Sequence, residues 1–94
     1  MYIVRETFTA KPGKASALAK LLKQAMSQMT NLKTRVLTDY IADFNTVVVE
    51  VEAEDLAAFD RVMAEYATRT DIHELMKGYT DLYVTGKREV YRVV

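Results

Sequence analysis

Apolar positions along the chain change their spacing several times, and each change marks an element. Residues 2–9, Tyr-Ile-Val-Arg-Glu-Thr-Phe-Thr, concentrate β-branched and aromatic side chains and predict a strand. Lys11-Pro12-Gly13 interrupts it, with Pro12 where a helix begins and a missing N–H matters little. From Ala15 to Met29, the apolar residues Leu18, Leu21, Leu22, Ala25, Met26 and Met29 form the i, i+3, i+4, i+7 stripe of an amphipathic helix. Residues 34–41 predict a second strand, 42–45 a turn and 46–52 a third strand; so short a connection makes an antiparallel hairpin. A second helix spans roughly 54–68, with Leu56, Phe59, Val62, Met63 and Tyr66 as its stripe and Glu54 and Asp55 at its N-terminal end. A further helix is expected from Asp71, where Asp71-x-x-Glu74 loosely fits a capping box. Ile72, Leu75, Met76, Tyr79, Leu82 and Tyr83 keep its spacing, and Gly86 ends it. Residues 87–94 then predict the last strand.

The order β-α-β-β-α(α)-β, with right-handed crossovers, predicts an α+β fold of the ferredoxin-like βαββαβ type over residues 1–94 as one domain. Its four-stranded antiparallel sheet carries the helices on one face. Alternation divides each strand between the two faces. The set richer in aromatic and valine residues, which includes Tyr2, Val4, Glu6, Phe8, Val36, Tyr40, Val47, Val49, Val51, Glu89, Tyr91 and Val93, is expected on the helix side. The other set should be polar if it faced water. It instead mixes Ile3, Leu37, Ile41, Val48 and Val90 with Arg5, Arg35, Arg88, Arg92, Asp39 and Glu50, a pattern that suits a second sheet packed on it. Ile3, Arg5, Leu37, Asp39, Val48, Glu50, Val90 and Arg92 are therefore the expected homodimer interface. A 94-residue chain buries a modest share of its surface alone, which favours association.

Composition narrows the function classes. Acidic and basic residues balance at 13 each, so there is no basic stripe for nucleic acid and no cationic run for an anionic membrane. The third strand offers valines and glutamates where an RNA-binding sheet needs exposed aromatics. The absence of cysteine excludes disulfides, thiolate metal sites and a cysteine nucleophile, and is compatible with the cytoplasm, the expected location. Charges arrive early at the N-terminus, and no stretch approaches a membrane span, so a complete soluble chain is expected. Phosphate loops, zinc motifs and nucleophile elbows have no counterpart.

The strand–Lys11-Pro12-Gly13–helix opening, the hairpin from Tyr40 to Val51 and the ending Thr85-Gly86-Lys87-Arg88-Glu89-Val90-Tyr91-Arg92-Val93 resemble the dimeric α/β-barrel superfamily. That group holds antibiotic-biosynthesis-type monooxygenases, haem-degrading monooxygenases, muconolactone isomerases and NIPSNAP-like proteins. The resemblance implies two sheets facing each other across a dimer, and a ligand between the sheet and helices of each subunit. The haem-degrading members use a helix histidine with nearby asparagine and tryptophan. This chain has one histidine, His73, no tryptophan and no asparagine in its first strand, so no haem and no other cofactor is expected.

Candidate chemistry is sparse. His73 is a proton shuttle by type, but one histidine without spaced partners makes no metal site. Glu6 and Glu89, expected on the helix side, are the carboxylates placed to act as a base or to form salt bridges with Lys11, Lys87 or helix lysines. Tyr40, Tyr79, Tyr83 and Tyr91 are expected to line an apolar cleft and orient a planar ligand. The methionines at helical spacing read as core. Two functions follow: a small-molecule-binding dimer, with cofactor-free monooxygenase or isomerase chemistry on an aromatic or polyketide-like ligand, or a non-catalytic dimeric binding or regulatory module.

Overall fold

Each boundary in the chain has a local cause. A computed structural model describes all residues, 1–94, as β1 (Tyr2–Ala10), α1 (Ala15–Met26), β2 (Lys33–Thr38), β3 (Thr46–Ala53), α2 (Leu56–Ala67), α3 (Thr70–Leu75), a 3-10 turn (Tyr79–Asp81) and β4 (Tyr83–Arg92). Gly13, at φ +79°, turns the chain between β1 and α1 in a conformation that a side chain disfavours. α1 stops three residues short of Met29 because the backbone tightens there: Ser27 Oγ donates to the Gln24 carbonyl at 2.6 Å and Met29 N–H to Met26 at 2.9 Å. Asp55 caps α2 by accepting from Ala58 N–H at 2.6 Å.

The expected long third helix is replaced by two short pieces and an early strand. Gly78 takes φ +82°, which an α-helix cannot contain, so α3 ends at Leu75 and a single 3-10 turn follows. Leu82 and Tyr83 do pack on the core, as their spacing suggests. Tyr83 does so from β4, paired with Ala10, and Gly86 lies within β4 opposite Phe8 instead of ending a helix.

The sheet is antiparallel throughout in the order β2-β3-β1-β4, with β1 and β3 central, the ferredoxin-like arrangement. Val4, Phe8, Ala10, Val47, Val49, Val51 and Ala53 of the two central strands pack with Leu18, Leu22 and Phe59 of the helices as one buried cluster. The molecule is a slab 35 × 35 × 18 Å with the other sheet face uncovered.

Register corrects the expected faces of β4. Val4 is opposite Val90, Glu6 opposite Arg88 and Tyr2 opposite Arg92, so these β4 residues share the helix side with the core. Ile3 is opposite Tyr91 and Arg5 opposite Glu89, which puts Tyr91 and Glu89 on the uncovered face. β4 is an edge strand, and its mixed composition gave alternation no clear phase. Two further positions assigned to β2 lie beyond its end at Thr38. Asp39 accepts from Thr46 N–H at 3.0 Å and closes the β2–β3 hairpin, while Ile41 lies at that hairpin's tip, 91% exposed beside Tyr40 and Phe44.

What remains on the uncovered face is a row of alternating charge across all four strands: Arg35, Glu50, Arg5, Glu89. Glu50 is only 5% exposed. Arg35 Nε donates to its Oε1 at 2.7 Å and Arg5 Nε to its Oε2 at 2.8 Å. Burial pushes the Glu50 carboxyl up, but the hydrogen bonds and charges of Arg35 and Arg5 outweigh it and hold it below the usual carboxylate range.

Replacing Arg35 alone with Gln leaves Arg5 in place and, because Arg35 is largely exposed, should cost under about 1 kcal/mol in urea unfolding. Replacing both arginines strands a buried carboxylate and should cost about 2–4 kcal/mol, more than the single changes combined. Glu50 is held below its unfolded value of about 4.3, so its stabilisation is complete above that pH and drains away as pH falls through the folded value. Glu50→Gln should flatten that acid limb of the stability curve.

Candidate functional site

Between the sheet and the helices the core does not close. β1 contributes Glu6 and Phe8, β4 contributes Gly86 and Arg88, and Val49 and Val51 form the floor. Leu22 and Met26 of α1, Phe59 and Met63 of α2, and Met76, Tyr79 and Tyr83 from the last third of the chain complete the walls of a cavity of about 450 Å³. That volume falls within the range of about 300–1,000 Å³ typical of ligand sites. The same register that separates the two faces makes this space. Gly86 removes a side chain where β4 crosses Phe8: a Cβ there would meet Phe8 Cδ1 at 3.1 Å.

One wall is aromatic. The Phe8 and Tyr83 rings lie 5.0 Å apart between centroids at 59°, and Tyr83 and Tyr79 5.7 Å apart at 36°. Burial, with Tyr83 and Glu6 as neighbours, pushes the Tyr79 phenol above its ordinary range. Tyr79 is therefore a neutral hydrogen-bond donor at neutral pH.

The polar group of the cavity is an ion pair. Arg88 donates to Glu6 Oε1 from Nε at 3.1 Å and from Nη2 at 2.8 Å, while Glu6 Oε2 has no hydrogen bond within the chain. Both residues are partly exposed, so the pair marks the mouth. Salt bridging was expected of Glu6, but with a lysine; the partner is Arg88, the residue across the ladder.

The structure distributes the other expected residues widely. Tyr79 and Tyr83 line the cavity. Tyr40 does not: it is 97% exposed on the β2–β3 hairpin, beyond the end of β2. Tyr91 and Glu89 are on the opposite face of the sheet, where the Tyr91 hydroxyl donates to Glu89 Oε2 at 2.6 Å and the Arg5 guanidinium lies 5.2 Å from the Tyr91 ring centroid. Those contacts hold Glu89 below the usual carboxylate range, chiefly through Tyr91 and then Lys87, and raise the Tyr91 phenol. His73 lines a neighbouring space, with its Nε2 donating to the Ala67 carbonyl at 2.6 Å. Arg92 lies 5.9 Å from the Tyr2 ring centroid, on the helix side. Arg88, Phe8 and Gly86 were missed as site residues. The signal was the pairing of opposite charges and of glycine with an aromatic on adjacent strands, which becomes visible only once the register is known.

A four-stranded antiparallel sheet with helices on one face and a cavity between the layers defines a ferredoxin-like protein of the kind expected from the sequence. Solved structures share the fold across the whole chain. A NIPSNAP domain protein from Burkholderia xenovorans matches with a TM-score of 0.85 at 13% identity, covering 100% of this chain and 95% of that one. A NIPSNAP family protein from Agrobacterium tumefaciens gives 0.85 at 11%, covering 99% and 85%. An antibiotic biosynthesis monooxygenase gives 0.73 at 17%, covering 100% and 99%. No family model and no curated protein matches the sequence. No helix is long and apolar enough to cross a membrane.

Gly86→Val should displace Phe8 and intrude on the cavity. The expected cost is about 1–3 kcal/mol in urea unfolding, with the far-ultraviolet dichroism of the folded state unchanged.

Proposed function

We propose that the chain is a small-molecule-binding protein that works as a homodimer, with one cavity per subunit that takes a planar, largely apolar ligand of the aromatic or polyketide-like kind. The observation that carries this reading is the cavity of about 450 Å³, walled by Phe8, Tyr79 and Tyr83 and closed at its mouth by Glu6 and Arg88. Apolar walls with a few convergent polar groups are the usual form of a ligand site. 1-Naphthol should bind saturably at one site per chain, and Gly86→Val should weaken it at least tenfold; a wild-type chain that does not bind the probe overturns the reading.

The catalytic form of this proposal rests on Glu6. Its unpartnered Oε2 is the base, and the neutral Tyr79 hydroxyl is the donor toward an oxygen that gains charge as a ligand proton leaves. Proton removal next to a carbonyl is the first step of an isomerase and of a monooxygenase that works without a cofactor. The second reading, a non-catalytic binding or regulatory module, is favoured by the Arg88 pairing of Glu6 and by the tie of His73 to a backbone carbonyl. Exchange of the C1 protons of 2-tetralone in heavy water separates the two. A catalytic site speeds exchange over buffer and loses the effect in Glu6→Gln, whereas a binding module gives the buffer rate in both.

The dimer is proposed through the uncovered sheet face. Only 14 of 94 residues are buried in the single chain, so a second layer on that face would add what a thin core lacks. Ile3, Leu37 and Val48 supply the apolar part. The charge row supports a two-fold arrangement: an axis parallel to the strands sets Arg35 of one copy against Glu89 of the other, and Glu50 against Arg5. Wild-type protein should sediment as a dimer at micromolar concentration and Val48→Asp as a monomer. A dimeric Val48→Asp chain would place the interface elsewhere.

A further inference from the structure

A second space adjoins the cavity across its methionines. This space, of about 420 Å³, lies between the C-terminal halves of α1 and α2 and α3, lined by Ala25, Met29, Tyr66, Ala67, Ile72 and His73. It shares Met26, Met63, Met76 and Tyr79 with the first. The partition is thus three unbranched thioether side chains and one ring, all only partly buried. Methionine has three rotatable bonds and yields to a ligand more readily than a β-branched side chain. Nine of the ten residues around the second lobe are hydrophobic; its histidine, His73, is tied to the Ala67 carbonyl and the Tyr66 hydroxyl to the Gln28 carbonyl. The polar end of the whole space is therefore the mouth of the first lobe.

The charge at that mouth balances. Arg88 is matched by Glu6, and the Lys87 ammonium turns away to Glu89 at 3.7 Å. An anionic head would compete with Glu6 for Arg88, and a cationic one with Arg88 for Glu6. A neutral head that both donates and accepts satisfies Glu6 Oε2 and the guanidinium together.

Resting on the ligand-site reading above, we infer that the two lobes together take an elongated, uncharged amphiphile. Its head is a hydroxyl or primary amide held between Glu6 and Arg88, and its apolar body runs past Met26, Met63 and Met76 into the lobe beside Ala67 and Ile72.

The test is a chain-length series of n-alkanamides and n-alkanoates, from six to fourteen carbons, titrated against the full chain by calorimetry. Each added methylene should tighten the amide about threefold to fourfold, well beyond the length the first lobe alone can hold. Amides should bind at least fivefold tighter than carboxylates of equal length. Ala67→Trp, on the exposed last turn of α2, fills the second lobe without touching the first; it should leave the shortest amide unchanged and abolish the gain for long ones. Glu6→Gln should reverse the preference toward the carboxylate. Affinity that stops rising at the shortest chains, or that is indifferent to Ala67→Trp, overturns the inference, as does a wild-type preference for carboxylates. If 1-naphthol binds while no amide does, the inference falls and the ligand-site reading stands; if neither binds, both fall.

Discussion

The register of β1 between β3 and β4 is the constraint on which the rest of the molecule depends. β1 is central, so each of its residues has a neighbour on both sides, and one alignment fixes both faces at once. On the helix side it sets Val4 between Val51 and Val90, Glu6 between Val49 and Arg88, and Phe8 between Val47 and Gly86. On the other side it sets Arg5 between Glu50 and Glu89. A slip of one residue would drive Arg5 into the core and expose Val4 and Phe8. The charged row on the uncovered face therefore specifies the same register that the apolar row requires on the other, and the cavity is a consequence of both.

A site has formed where packing is incomplete for identifiable reasons. α3 is short because Gly78 ends it, so only a turn and the start of β4 cover that end of the sheet. Gly86 contributes no side chain at the point where Phe8 needs a neighbour. The methionines at the boundary fill space without fixing it. The Tyr66 hydroxyl, which donates to the Gln28 carbonyl, ties α2 to the segment after α1.

Much of the fold was legible in the sequence. Helical periodicity located α1 and α2, strand-forming composition located β1 and β3, and the short connection identified β2 as the hairpin partner of β3. Glu54 and Asp55 marked the N-terminal end of α2 because the preference of a helix start for acidic residues is local chemistry. What could not be read depended on distant partners. Leu82 and Tyr83 continued a helical spacing, yet they reach the core from a turn and a strand; periodicity cannot separate these when an element ends inside the pattern. The faces of β4 were assigned by counting aromatics, but an edge strand puts apolar groups on both sides. Arg88 is tolerated on the helix side only because Glu6 is beside it, and Tyr91 on the open side because Arg5 covers its ring. Of the candidate site, Tyr79, Tyr83 and Glu6 were identified from type and spacing. Phe8, Gly86 and Arg88 required the register.

The two arginine–glutamate clusters differ in how much water reaches their carboxylates, and this gives dissolved salt an unequal hold on the molecule. The Glu50 carboxylate is buried between two guanidinium groups, although Arg5 and Arg35 themselves reach solvent. Glu6 and Arg88 stand at an opening, both within reach of solvent. With a screening distance of about 8 Å at physiological ionic strength, shrinking to about 3 Å in molar salt, the pair at the opening weakens first. The sheet keeps its alignment across that range while the polar rim of the cavity loosens, so ionic strength acts on access to the interior before it acts on the fold.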